Sequence, residues 1–503
     1  MNPVISAIEQ KAAMSPTAVA LQGPQASVSF ASLLDEIINL QTDFRKKGLN
    51  RIGLLMENSP AWAIVDLAAL NNQSVMVPLP DFFTDKQLLH VIASAALDTI
   101  ITDNPGRLTP LLAKAKLRPR PRIAGQNIWQ LSLPNTKEKP LPEGTVKITF
   151  TSGTTGTPKG VCLTEEAINA VALSLANIAT VCDHDKHLTL LPLPVLLENI
   201  AGLYVSMLRG VPCSLPSLVD LGMAGSQAAD LQKMFTAIVE QQVTSIIMIP
   251  HMLQALLGAV NHGLEFPELR FIAVGGASVS PALLKQAALA GLPVFEGYGL
   301  SECASVVAVN MPQALRQGSV GKPLSHLNVT LAPDNEIMVE GPVYAGYLGE
   351  STYENNRPLA TGDLGYLDDD GYLYISGRKR NVFITSYGRN VSPEWIEREL
   401  QAQPVIAQAV VYGESRPWNA AVVVSANGAT DVEMNAAIEA ANKMLPDYAR
   451  VKRWVQADEA FTPVNGQYTV NGRPRRDKIW GCYGERINEL YKQQSICYSE
   501  ISL

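Results

Sequence analysis

Directly after the apolar run 146–150 the chain reads Thr151-Ser152-Gly153-Thr154-Thr155-Gly156-Thr157-Pro158-Lys159-Gly160. Residues of this kind suit the binding of an anion. Glycine lets the backbone turn through positive φ and brings its amides close to a ligand, the hydroxyls add donors, and Lys159 adds a formal charge. A Walker-type phosphate loop would place the lysine directly after its second glycine and open a helix, whereas here Pro158 intervenes and Gly160-Val161 follows. An ordinary Ser/Thr/Gly-rich hairpin loop shares the composition but not this order of residues.

Other segments have chemistry of the same kind. Tyr298-Gly299-Leu300-Ser301-Glu302 offers a carboxylate, the donor type a hard cation on a polyphosphate requires. Asp363, within Thr361-Gly362-Asp363-Leu364-Gly365, offers two acceptor oxygens. Gly275-Gly276-Ala277 follows the apolar run 271–274, so it belongs at the carboxyl end of a strand, where α/β sheets bind ligands, although Gly-Gly there also suits a plain turn. Cys303 follows Glu302, but no histidine stands near it in sequence to serve as its base.

A scaffold must hold these segments together, and 503 residues are too many for one compact core. From about 30 to 130, helical patterns such as 30–46 alternate with short aliphatic runs such as 51–56 and 99–102. The alternation continues through 188–192, 245–249 and 269–274, which predicts large parallel sheets covered by helices, an α/β fold. Between about 318 and 376 the runs 329–331, 336–339 and 372–375 are separated by Gly, Asp and Pro, predicting antiparallel strands or a small β-barrel. Beyond Arg380 come a helix over 394–401, strands over 406–412 and 420–424, and a helix over 431–444. Residues 1–379 are therefore expected to form the large unit and 380–503 a small α+β domain.

Composition narrows the partners. With 47% hydrophobic and 17% charged residues, a net charge of −7 and no long Lys/Arg cluster, a nucleic acid is not an expected partner. No apolar run reaches the length of a membrane span and the first residues lack the pattern of a signal peptide, so a cytoplasmic protein is expected. The cysteines at 162, 182, 213, 303, 482 and 497 show no zinc or redox spacing, which predicts reduced thiols.

The ordered pattern S-G-T-T-G-x-P-K-G resembles the signature loop of the adenylate-forming superfamily of acyl-CoA synthetases, carrier-protein ligases and peptide-synthetase adenylation domains. Further motifs of that superfamily follow in order over nearly the whole chain. The resemblance implies that Thr151, Ser152, Gly153, Thr154, Thr155, Gly156 and Lys159 hold ATP phosphates, and that Tyr298 packs on adenine with Gly299 beside it. It implies that Ser301 meets phosphate, Glu302 holds Mg²⁺, and Gly276 and Ala277 admit the adenine. Asp363 would take the ribose hydroxyls, Arg378 would contact the nucleotide, Arg380 would be the hinge, and Gly388 would lie on a mobile loop that swings in for thioester formation. Leu191-Pro192-Leu193-Pro194-Val195-Leu196-Leu197-Glu198 resembles the long-chain acyl-CoA synthetase pattern L-P-L-A-H-x-x-E, placing Val195, Glu198 and Gly275 at the acyl pocket.

Two departures stand out against that pattern. Where relatives carry a catalytic lysine in N-G-K-x-x-R, this chain has Asn471-Gly472-Arg473-Pro474-Arg475-Arg476-Asp477-Lys478, so Arg473 takes the slot and Lys478 is the alternative cation. Val195 stands where relatives place a histidine or aromatic residue. The implied activity is adenylation of a hydrophobic, fatty or aryl, carboxylic acid by ATP and Mg²⁺, followed by transfer to coenzyme A. Transfer to the phosphopantetheine of an acyl carrier protein, and a degenerate member with weak adenylation, are the alternatives.

Overall fold

The computed structural model of the chain describes residues 2–24, 26–134, 140–151, 158–178, 182, 184–224, 227–228, 230–277, 279–350, 353, 357–426, 428–469 and 472–499. Two large mixed sheets, each with a parallel centre, dominate its first part. The eight-stranded sheet has the central strands Thr145–Thr151, Val75–Pro78, Arg51–Leu55 and Thr99–Thr102. At one side of it the antiparallel pair Lys159–Thr164 and Gly346–Tyr347 is added. The nine-stranded sheet runs through His187–Leu188, Ser245–Met248, Phe271–Val274 and Val294–Tyr298, all parallel, so their carboxyl ends share one edge.

Between these sheets lies the helix Pro60–Asn72, apolar all round and buried on every face from Pro60 to Leu70. It packs on the strands Arg51–Leu55 and Val75–Pro78 and meets the π-helix Leu197–Tyr204, which rests on the nine-stranded sheet. Asp66 of the buried helix, Lys147 of the strand Thr145–Thr151, and Asn199 and Tyr204 of the π-helix form one polar cluster. Lys147 Nζ donates to Asp66 Oδ1 at 2.9 Å and to Tyr204 Oη at 2.9 Å, and Tyr204 donates to Asp66 Oδ2 at 2.6 Å. Every member has a partner, which a charge removed from water requires.

The 188–192 run enters the sheet only at His187–Leu188. Pro192 and Pro194 have no N–H to give a ladder, and the chain leaves the sheet before them. The 318–376 region forms antiparallel strands: Asn328–Leu331, Glu336–Glu340, Leu359–Leu367 and Leu373–Arg378 make a four-stranded sheet.

From Phe383 onward the chain builds cores of its own. The strands Ile406–Tyr412, Asn419–Ser425 and Val451–Gln456 form a three-stranded sheet that is covered on both faces. Val411 and Val423 face Ile396 and Met434 of the helices Pro393–Gln401 and Asp431–Asn442, while Val410 and Val422 face Ile479 and Tyr483 of the helix Arg476–Ser499. Period-2 alternation thus becomes burial on both sides, because each face has its own helix. The bidentate pair of Arg476 with Glu397, at 2.7 Å on each arm, ties the start of the last helix to the helix Pro393–Gln401. That pair fixes the loop bearing Arg473. No helix among the described residues is long and apolar enough to cross a membrane.

Candidate active site

One cavity of about 1740 Å³ opens along the carboxyl edge of the nine-stranded sheet, and residues from both parts of the chain line it. The strand register builds its first wall. Thr151 pairs directly with Lys159, so the residues on either side of the Gly/Thr-rich segment lie on two antiparallel strands and no helix follows it directly, unlike a strand-to-helix phosphate loop. Ser152, Gly153, Thr154, Thr155 and Gly156 lie outside the described residues. At the root His90 Nε2 meets the Pro158 carbonyl at 3.1 Å. Lys159 Nζ stands 5.2 Å from the centre of the Tyr347 ring, and the Tyr347 hydroxyl donates to Glu302 Oε1 at 2.7 Å. One aromatic side chain therefore joins the cation to the carboxylate. Burial, with Glu302 adding to it, pushes the Tyr347 phenol above its ordinary value, so it remains a donor.

On the second wall the pairing Asp363↔Arg378 puts two motif residues opposite each other on adjacent strands. Arg378 Nε meets Asp363 Oδ1 at 2.7 Å, and the Tyr298 hydroxyl donates to Asp363 Oδ2 at 2.7 Å. Asp363 is buried, and loss of water raises its carboxyl above the ordinary value while Arg378 opposes the shift. Tyr298, Gly299, Ser301, Glu302 and Arg378 all line the cavity, and Asp363 stands just behind Tyr298 and Arg378. Glycine is obligatory at 299, where a Cβ would come within 1.7 Å of the Ser305 carbonyl oxygen.

The third wall is Gly275-Gly276, directly beyond the strand Phe271–Val274. Gly276 adopts φ +84°, and Ala277 turns away from the cavity lining. Arg473 arrives from the last part of the chain, its Nε–H donating to the Gly276 carbonyl at 3.2 Å. Loss of water and the nearby Arg378 guanidinium lower its pKa, with Asp363 acting in the opposite sense. Lys478 also borders the cavity, one helical turn into Arg476–Ser499. Arg380 lies in the short 3₁₀ turn Lys379–Asn381, between two extended residues, and borders the cavity as well.

Three expected site residues are not gathered here. Gly388, φ +71°, sits in the hairpin between Phe383–Ile384 and Asn390–Val391, away from the cavity lining. Val195 lines the cavity, but Glu198 does not. It is fully buried, its oxygens held by His187 Nε2 at 2.7 Å and by the Leu191 amide at 3.0 Å, so it braces the wall from behind. Ala277 is the third. Cys303 is fully buried, and burial pushes its thiol up, which removes it as a nucleophile.

Sequence reasoning missed Tyr347 and His187. Each meets its carboxylate through strand register or the turn of the π-helix, which no local sequence signal marks.

Comparison with known proteins adds the context. Residues 8–349 match the AMP-binding enzyme family model, and residues 380–495 match the model of the AMP-binding enzyme C-terminal domain. The 2-succinylbenzoate–CoA ligase of Bacillus mycoides is 28% identical, covering 84% of this chain and 89% of its own. The long-chain-fatty-acid–CoA ligase FadD15 of Mycobacterium bovis is 26% identical, covering 88% of each. Among solved structures, the anthranilate CoA ligase AuaEII in complex with anthranoyl-AMP superposes with a TM-score of 0.78 at 17% identity, over 95% of this chain and 96% of that one.

Proposed function

The chain belongs to the AMP-binding enzyme family, and from that premise we propose that it adenylates an apolar carboxylic acid with ATP and transfers the acyl group to coenzyme A. One observation carries the reading: Arg473 reaches across the cavity to Gly276, closing a ring of Lys159, Glu302, Tyr298, Asp363 and Arg378. Cations crowd this ring. Lys159, Arg378, Arg380 and Arg473 outnumber Asp363 and Glu302 in a chain whose net charge is −7, as a site for a triphosphate requires.

In the first half-reaction a carboxylate oxygen attacks the α-phosphorus of ATP, the Pα–O bond to the β-phosphate breaks, and pyrophosphate leaves. Lys159 and the hairpin hydroxyls neutralise the phosphates, while Arg473, beside Gly276, faces the charge developing between carboxylate and α-phosphate. Asp363 and Arg378 hold the nucleoside. Glu302 lines the cavity and, among the described residues, Tyr347 takes Oε1 alone, so this carboxylate fits Mg²⁺, which would supply charge neutralisation on the phosphates. In the second half-reaction the thiol loses its proton, sulfur attacks the acyl carbon, and AMP departs.

The domain reading is part of the same proposal: residues 1–379 bear the nucleotide and acyl sites, and 380–503 turn about Arg380 to exchange Arg473 for Gly388. Their present positions, Arg473 inside and Gly388 outside, suit the adenylating arrangement. Arg473 in the cavity also weighs against a degenerate member, and relatives named as CoA ligases favour coenzyme A over a carrier protein. An ATP–pyrophosphate exchange screen over fatty acids, benzoate, 2-succinylbenzoate and amino acids tests the reading. Exchange with an apolar acid that yields its CoA thioester upholds it, and no exchange with any acid overturns it.

A further inference from the structure

The burial pattern of the nine-stranded sheet reveals a hollow beyond the carboxyl edge. In the strand Phe271–Val274, Ile272 and Val274 are sealed, yet Phe271 and Ala273 remain partly open although the strand is central. Alternate residues of a strand face opposite sides, so the open pair shares one face with Gly275. The register extends that face: Phe271 pairs with Ser245, Ala273 with Ile247, and Ser245 with His187. All of these line the cavity.

The roof repeats the pattern. Within the π-helix Leu197–Tyr204, Glu198, Asn199, Ile200, Gly202, Leu203 and Tyr204 are buried, and only Leu197 and Ala201, four residues apart on one side, stay partly open. Leu197 lies over the sheet, its Cδ2 3.6 Å from where a Cβ on Gly275 would be. Small residues at 201, 273, 275 and 297 leave a slender groove between roof and floor.

The groove is apolar along its length. Its two polar groups satisfy each other, with His187 Nδ1 on Ser245 Oγ at 3.1 Å and His187 Nε2 on Glu198. Gly202 permits this contact, since a Cβ there would come within 2.4 Å of Glu198 Oε1. Among the described residues of this wall no Lys or Arg appears until Arg270, which is ion-paired with Asp185 at the far end. Four residues of strand separate Gly275 from Phe271, so the groove is about 13 Å long, enough for roughly ten extended carbon–carbon bonds.

Resting on the ligase reading above, we infer that the acid is a linear aliphatic monocarboxylic acid whose chain runs down this groove from Gly275 to the Arg270–Asp185 pair, with Ala273 and Ala201 setting its length. A second carboxylate, as in 2-succinylbenzoate, would meet no cation inside, and a flat aryl acid would leave the groove unfilled.

The test compares ATP–pyrophosphate exchange with hexanoate, dodecanoate, benzoate and 2-succinylbenzoate for the full chain and for Ala273→Phe and Ala201→Phe. These block the groove from floor and roof, so a folding failure in one leaves the other. Wild type is expected to favour dodecanoate by at least about tenfold in kcat/KM, the smallest difference lost pocket contacts should make. Each folded variant should lose dodecanoate by a similar factor and keep hexanoate within about threefold. Equal loss of both acids, or wild-type preference for benzoate or 2-succinylbenzoate, overturns the inference while the ligase reading stands. Absence of exchange with every acid overturns both.

Discussion

Replacing Arg473 by alanine isolates the adenylation step. Among the described residues its guanidinium donates one hydrogen bond, to Gly276, and pairs with no carboxylate. Truncation should therefore cost stability no more than one ordinary hydrogen bond, about 1 kcal/mol. Its cost to the transition state is larger, because the cation is already positioned where carboxylate and α-phosphate share charge. Losing one preorganised donor lowers rates roughly 10²- to 10³-fold, about 3–4 kcal/mol. Pyrophosphate exchange should fall by that factor, while thioester formation from synthetic acyl-adenylate and coenzyme A stays within about threefold. Arg473→Lys, which restores a compact ammonium in place of the planar fork, should retain exchange within about tenfold of wild type. Lys478→Ala serves as the contrast and should leave exchange nearly unchanged. If Lys478→Ala abolishes exchange and Arg473→Ala does not, the cation that serves the chemistry comes from the helix and the role given to Arg473 is refuted.

Tyr347→Phe keeps the ring beneath Lys159 but removes the hydroxyl that orients Glu302. Half-saturation by Mg²⁺ should rise roughly 10- to 100-fold, as when a metal ligand loses its supporting hydrogen bond, and an unchanged Mg²⁺ titration would disprove the link. Lys147→Met leaves the buried Asp66 without its cation, among Asn199 and Tyr204, so unfolding free energy by urea titration should drop about 3–5 kcal/mol. A loss under about 1 kcal/mol would mean that water reaches the cluster. Glu296, buried in the strand Val294–Tyr298, has its pKa raised by desolvation from 4.5 to about 7. Between those values the folded state holds a proton that the unfolded state releases, so stability falls as pH rises from 4.5 to 7, by about 3 kcal/mol at most. Glu296→Gln should flatten that slope and exceed wild type at pH 8, with equal stability near pH 4.5; parallel pH curves for the two proteins would contradict it.

What the sequence made legible was chemistry carried in short segments. Lys159 could be singled out because residue type and local order suit an anion, and Glu302, Tyr298, Asp363 and Arg378 because their segments resemble the family's motifs in the same order; the cavity lies beside all five. Element positions were equally readable where period and punctuation agreed, as in the helix Phe30–Lys47 and the strand Ile406–Tyr412. Contacts made by register were not readable. Tyr347 reaches Glu302 across 45 residues because Gly346–Tyr347 pairs with the Lys159 strand, and no local pattern encodes that pairing. Glu198 illustrates the opposite error. Resemblance to a family pattern places it at the acyl pocket, but helical rotation sends 197 and 201 to the cavity and 198 inward to His187. A residue's type can be read from its letter, whereas its direction depends on which wall its helix leans against. The chemistry of this site is therefore local in sequence, and its selectivity, set by Ala201, Ala273 and Gly297 on three different elements, exists only after folding.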